Sequence, residues 1–305
     1  MITRHERGKT VWVDLESPTR EELSEVIREF GIDGRIEEEI LSPTPYPLSI
    51  AFPGYAYLIL HFPTSCAEEG ARAQEMDFIV GKHFLITARY EHIDCIHNLH
   101  KVFEAEELLE TGARHVPIAS LLERVMDRMY AAISGEIERQ GDRLERIERD
   151  IFSGKERQTV RRISETGRVL LRFETALARH KEPLEGFLAT LAAPTFLGVS
   201  FDEHAAHIEA KRVHVAALVA SYRAVAQELR TTNDSLLSSS QNQVMKNLTV
   251  MSFLALPLTL LASIFGMNAV NMPIVESEHG FLAILGLMAA TSLILFTFFR
   301  LKKWL

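Results

Sequence analysis

The last stretch of this chain holds two long uncharged runs, Leu248 to Phe265 with eighteen residues and Phe281 to Phe299 with nineteen. At about 1.5 Å per helical residue, each run just crosses a hydrocarbon core of about 30 Å. The sequence therefore predicts a membrane protein with two spans, at about 245–265 and 281–300, joined by a short loop over 266–280.

The flanking charges set the expected orientation. Lys246 precedes the first run, and Arg300, Lys302 and Lys303 follow the second, whereas the loop carries only Glu276, Glu278 and His279. Basic residues stay on the cytosolic side of short loops. Both termini are thus expected in the cytosol, in a cytoplasmic (inner) membrane, with a short acidic loop outside. The opening Met1-Ile2-Thr3-Arg4-His5-Glu6-Arg7 is polar and lacks the apolar core of a cleaved leader. Cys66 and Cys95 have no CxxC spacing and suit a reducing compartment as inert packing residues.

The net charge of −8 argues against a nucleic-acid partner, which demands a basic face. No Gly-rich phosphate loop ending in Gly-Lys-Ser/Thr is present. Nor do a nucleophile, a base and an orienting acid stand at recognisable spacing. An enzyme is not expected, nor a permanently bound cofactor.

Residues 1–115 alternate strand-like and helical segments and predict a cytosolic α/β domain. Thr10 to Leu15 reads as a strand, and Ser17-Pro18-Thr19 opens a helix with acids in its first turn and a stop at Gly31. Tyr55 to Phe62 reads as another strand. Met76 to Val80 and Phe84 to Arg89 flank Gly81-Lys82-His83 as a hairpin. Over 116–240 the period becomes helical. Apolar residues at Leu122, Val125, Met129, Ile133, Ile137, Leu144, Ile147 and Ile151 predict one long amphipathic helix ending near Gly154. A second runs from about Arg157 towards Leu191 with a break at Pro183, and a third starts after Gly198. If unbroken from Asp202 to Phe265, the third would extend roughly 95 Å as a stalk into the membrane domain, 241–305. The fold class is α+β: a cytosolic α/β part, a long helical stalk and two C-terminal transmembrane helices.

Within the first span and just before it, Asn242, Met245, Thr249, Ser252, Leu256, Thr259 and Ser263 recur at steps of three and four. This is a heptad seam drawn largely with small polar residues. Lipid cannot satisfy hydroxyls, so such a seam faces other copies of itself or water and predicts a pore lined by this helix in a homo-oligomer. The other reading is plain helix packing, with each hydroxyl bonded to its own backbone. Pro257 is read as a hinge or as a tolerated kink. Gly266-Met267-Asn268 closes the span: glycine permits the turn, and the Asn268 amide oxygen can accept from the hydration water of an ion. Mg²⁺ keeps its waters reluctantly and suits such a neutral greeting.

Asn242-Gln243-Val244-Met245-Lys246, Pro257-Leu258-Thr259, Phe265-Gly266-Met267-Asn268, Met272-Pro273 and the terminal Lys302-Lys303-Trp304-Leu305 resemble the CorA family of divalent cation transporters. The resemblance is firmest over about 235–305. It departs at Phe265, where tyrosine is common, and at Ile274, where many members carry an acid. It implies a funnel-shaped homopentamer in the lipid bilayer, with Mg²⁺ or another divalent cation as substrate. Gly266, Met267 and Asn268 would form the selectivity loop. Asn242 would line the pore, Met245, Leu248 and Leu256 would form its hydrophobic constriction, and Thr259 and Ser263 would lie on the hydrated stretch above. Glu276 and Glu278 would be the loop carboxylates.

His204 and His207 are three residues apart on one helix face and offer a speculative metal site, with Glu203 or His214 able to join. The bland reading is a solvated polar face. His92, His97 and His100 are likewise expected as surface residues rather than a ligand cluster. The histidines keep zinc transport of ZntB type open as an alternative, extending to Co²⁺ or Ni²⁺ and to coupling with protons. A non-conducting, membrane-anchored coiled-coil scaffold is the alternative of another class.

Overall fold

The computed structural model describes residues 1–63, 73–109, 116–267 and 279–302, and the chain divides into two compact units, Met1–Arg230 and Thr231–Leu305. The first unit is built on six strands: β1 (Ile2–Arg7), β2 (Thr10–Glu16), β3 (Leu48–Phe52), β4 (Tyr55–Phe62), β5 (Gln74–Gly81) and β6 (Phe84–Arg89). They lie in the order β1-β2-β6-β5-β4-β3, parallel only between β2 and β6. The expected hairpin over 76–89 is present as β5 and β6.

Helices cover both faces of the sheet. On one face, Tyr55, Tyr57, Ile59 and Ile79 pack with Leu23, Val26, Ile27, Ile36 and Ile40 of α1 (Arg20–Phe30) and α2 (Arg35–Leu41). α1 forms where the sequence caps it. The Glu22 N–H donates to Thr19 Oγ1 at 3.2 Å, and the Thr19 N–H donates to the Glu22 carboxylate at 3.0 Å. Gly31 then stops it in the left-handed conformation at φ 65°. The other face meets the long helices α4 (Ile118–Phe152) and α5 (Glu156–Ala192), which also pack on each other. All eight apolar positions predicted for α4 are buried. The expected break at Pro183 does not occur, since α5 continues through it. A proline costs one backbone bond, and Leu184, Phe187, Leu188 and Leu191 beyond it are buried, so packing outweighs that loss.

A buried polar network pins β2 to β6 and to α3 (Asp94–Leu109). Asp14 accepts from Thr87 Oγ1 at 2.5 Å, Arg89 Nη2 at 2.8 Å and His100 Nε2 at 2.9 Å. Burial alone would raise this carboxyl, but bonds from His100 and Arg89 hold it below the usual carboxylate range. His100 is therefore an interior residue and not the expected surface histidine. His92 faces Glu16 and Asp94 instead, so the three histidines are not one cluster. Cys95 is half-buried with its thiol against Met129, and burial pushes it up to about 11, as expected of an inert thiol; Cys66 lies outside the described residues.

His180 of α5 is fully enclosed. Tyr130 Oη donates to its Nδ1 at 3.2 Å, and its Nε2–H donates to the His61 carbonyl at 2.9 Å. Burial lowers it from 6.5 to about 4. Between those values the unfolded chain binds a proton that the folded chain excludes, so stability falls as pH drops through that window. The loss should approach about 3 kcal/mol by pH 4. Thermal midpoints of solubilised protein from pH 7 to 4 should fall more steeply in the parent than in His180→Gln, and equal slopes would place the acid sensitivity elsewhere.

The stalk helix expected from Asp202 to Phe265 is one continuous helix, α6, of 64 residues. In the second unit, its later part and α7 (Gly280–Leu301) are the elements described.

Candidate functional site

Among the described residues, α6 and α7 are the helices long and apolar enough to cross a membrane, and their apolar windows are almost wholly unburied within the chain. α6 remains helical through Pro257. Its inner face is defined by Val250, which is buried, and by Leu254, Pro257, Leu258, Leu261 and Phe265, which are half-buried. α7 shows a matching row at Ile284, Met288, Thr291, Ser292, Leu295 and the buried Phe299. The Phe253 and Phe299 rings stand 6.2 Å apart between the two helices.

The polar seam lies elsewhere. Asn242, Met245, Leu248, Ser252, Leu256, Thr259 and Ser263 are exposed, and Thr249 is half-buried. At about 100° per residue, the seam centres about 180° from the face led by Val250. Small polar residues therefore gather on the side of α6 that this chain leaves uncovered.

Their hydroxyls are already engaged. Thr249 Oγ1 donates to the Met245 carbonyl at 2.8 Å, Ser252 Oγ to Leu248 at 2.9 Å and Thr259 Oγ1 to Ala255 at 2.9 Å. Thr291 and Thr297 of α7 do the same, so this bonding accompanies both packing and open faces. What it leaves on the seam is a row of oxygen lone pairs without free hydrogens. Such a row accepts from water and repels anions.

α6 ends where the sequence places the turn. The Gly266 N–H reaches the Ala262 carbonyl at 2.9 Å and the Met267 N–H reaches Ile264 at 3.3 Å. A Cβ on Gly266 would stand 2.9 Å from the Ala262 carbonyl oxygen, too close for a methyl group. Met267 is exposed beside it. Asn268, Glu276 and Glu278 lie outside the described residues.

His204 and His207 are brought together by a carboxylate more than eighty residues earlier in the chain. Glu123 of α4 bonds His204 Nδ1 through one oxygen and His207 Nδ1, at 3.0 Å, through the other. Each ring is thus engaged by a separate carboxylate oxygen. Among the described residues no group of three or more His, Cys, Asp or Glu side chains is arranged to hold a metal.

A sheet-bearing unit followed by two apolar helices, the first with a polar stripe on its uncovered face, is the build of a membrane protein. The sequence model of the family described as CorA-like Mg²⁺ transporter protein matches residues 7–303. The Cobalt/magnesium transport protein CorA of Methanocaldococcus jannaschii is 24% identical over 304 residues, 97% of this chain and 92% of that one. Its namesake in Thermotoga maritima is 21% identical, over 96% of this chain and 83% of the relative. The complete structure of the CorA magnesium transporter from M. jannaschii matches with a TM-score of 0.80 at 22% identity, covering 99% of this chain and 93% of that one, and shows the same fold. The chain belongs to the CorA-like Mg²⁺ transporter family. It is a divalent cation transporter of membranes, not an enzyme.

Proposed function

We propose that this chain moves hydrated divalent cations, Mg²⁺ foremost, across the cytoplasmic membrane through a homopentameric pore lined by α6, with both termini in the cytosol. The observation that carries the reading is the polar seam on the uncovered face of α6. Two spans per chain cannot enclose a channel, so several copies must present their seams to one axis. A hydrated cation shows O–H donors on its outside, and the seam oxygens of Thr249, Ser252 and Thr259 are acceptors. Gly266, Met267 and Asn268 form the selectivity loop at the outer mouth, and Met245, Leu248 and Leu256 form the apolar constriction that closes by excluding water. The membrane potential supplies about 4.6 kcal/mol per 100 mV for inward movement of a divalent ion.

The test is flux through purified protein in vesicles, with Mg²⁺, Zn²⁺, Co²⁺ and Ni²⁺ in parallel, each with and without a pH gradient. Mg²⁺ should permeate under potential alone. Zn²⁺ movement that requires a proton gradient, with no Mg²⁺ flux, would replace this reading by the zinc one.

A further inference from the structure

In the second unit, Val250 of α6 and Phe299 of α7 are 2% and 6% exposed. Among the described residues from 234 onward, Gly280 at the start of α7 is the one other buried position. The rest of the facing rows, from Leu254, Leu258 and Leu261 on α6 to Ile284, Met288 and Leu295 on α7, are only half-buried.

The buried side chains gather in an aromatic node. The Phe253 ring stands 6.2 Å from Phe299, and Phe298 meets Phe299 edge to face at 5.6 Å. Residues three apart are neighbours on a helix surface, so Val250 lies beside Phe253 at the same end of the pair.

This node stands behind the apolar constriction assigned to Leu248. At about 100° per residue, Leu248 and Ser252 lie about 160° and about 200° round α6 from Val250. At about 1.5 Å per residue, both are also within about 3 Å of its height. Side chains at a helix contact set the distance between the helix axes, within about 8–10 Å, and small residues let the backbones close in. Bulk behind Val250 and Phe253 therefore pushes Leu248 outward on the opposite side.

We infer that Phe299 is a positioning residue of the pore: its ring, against Phe253, holds α6 off α7 and so sets the aperture at Leu248. This rests on the pore reading. Each copy of α6 that retreats towards its own α7 widens the shared axis, and an apolar constriction wets or dries with its radius. A smaller side chain at 299 lets α6 retreat, and a larger one drives it forward.

The test is single-channel recording of the purified full-length protein in planar bilayers with Mg²⁺ as the charge carrier. Phe299→Ala should raise the open probability about fivefold or more, and Phe299→Trp should lower it by a similar factor. Where Phe299→Ala fails to assemble, Phe299→Leu takes its place with the same sign. Met288 lies about 20° round α7 from Phe299 and about 16 Å along it, so it shares the face but not the node. Met288→Ala removes comparable apolar volume and should leave the open probability within about twofold of the parent. An unchanged open probability in the assembled small variant overturns the inference. So does a shift of the same sign for the small and the large variant, or an equal shift in Met288→Ala, either of which would make the node ordinary packing. A parent without conductance fails the pore reading itself, and the inference with it.

Discussion

Thr249→Val, Ser252→Ala and Thr259→Val together should cut divalent cation flux by at least about tenfold, a rise of about 1.4 kcal/mol in the barrier. Each substitution removes an oxygen lone pair from the uncovered face of α6. The lost hydrogen bonds run to carbonyls four residues earlier in the same helix, whose own N–H partners remain, so the helix should survive with its packing on α7 intact. Flux in vesicles and circular dichroism on the same preparation separate the two effects. Unchanged flux in a folded variant would leave the seam as a packing surface and favour a scaffold.

The second large effect is expected at Asn268. With Asn268→Ala, selective uptake should vanish while assembly is retained. On the proposed reading the amide oxygen would accept from the water shell of an arriving ion, and alanine offers nothing in its place. Two or three lost hydrogen bonds around the mouth, at about 1 kcal/mol each, would lower occupancy there by about thirtyfold to about 150-fold. The measurement is Mg²⁺ uptake alongside size-exclusion profiles of the variant. Normal uptake would exclude the loop as the filter.

Legibility in the sequence followed how strongly each element's burial was patterned. The apolar stripe of α4 and the run Tyr55 to Phe62 of β4 announced themselves because both are buried along their length. β1 did not, for Ile2–Arg7 is an edge strand whose one buried residue is His5. β3, at the other edge, has no fully buried residue. The seam on α6 was legible in its spacing. The bonding of its hydroxyls was not, since that is a choice of rotamer. Glu123 was illegible as the partner of His204 and His207, standing 81 and 84 residues away. The contact between His61 and Glu75 escaped for the same reason, since only the strand register sets the two opposite each other.

The inward hydroxyl bonds of α6 carry a mechanical consequence. A transmembrane helix whose polar side chains grip its neighbours must break those grips to turn, and its states are separated by discrete bonds. Here the grips are internal, at Thr249, Ser252 and Thr259. Swivelling α6 about its own axis would sever none of them. Its resistance would scale smoothly with the apolar area wetted or dried, so lipid composition and temperature should tune opening more strongly than any single polar substitution off the seam.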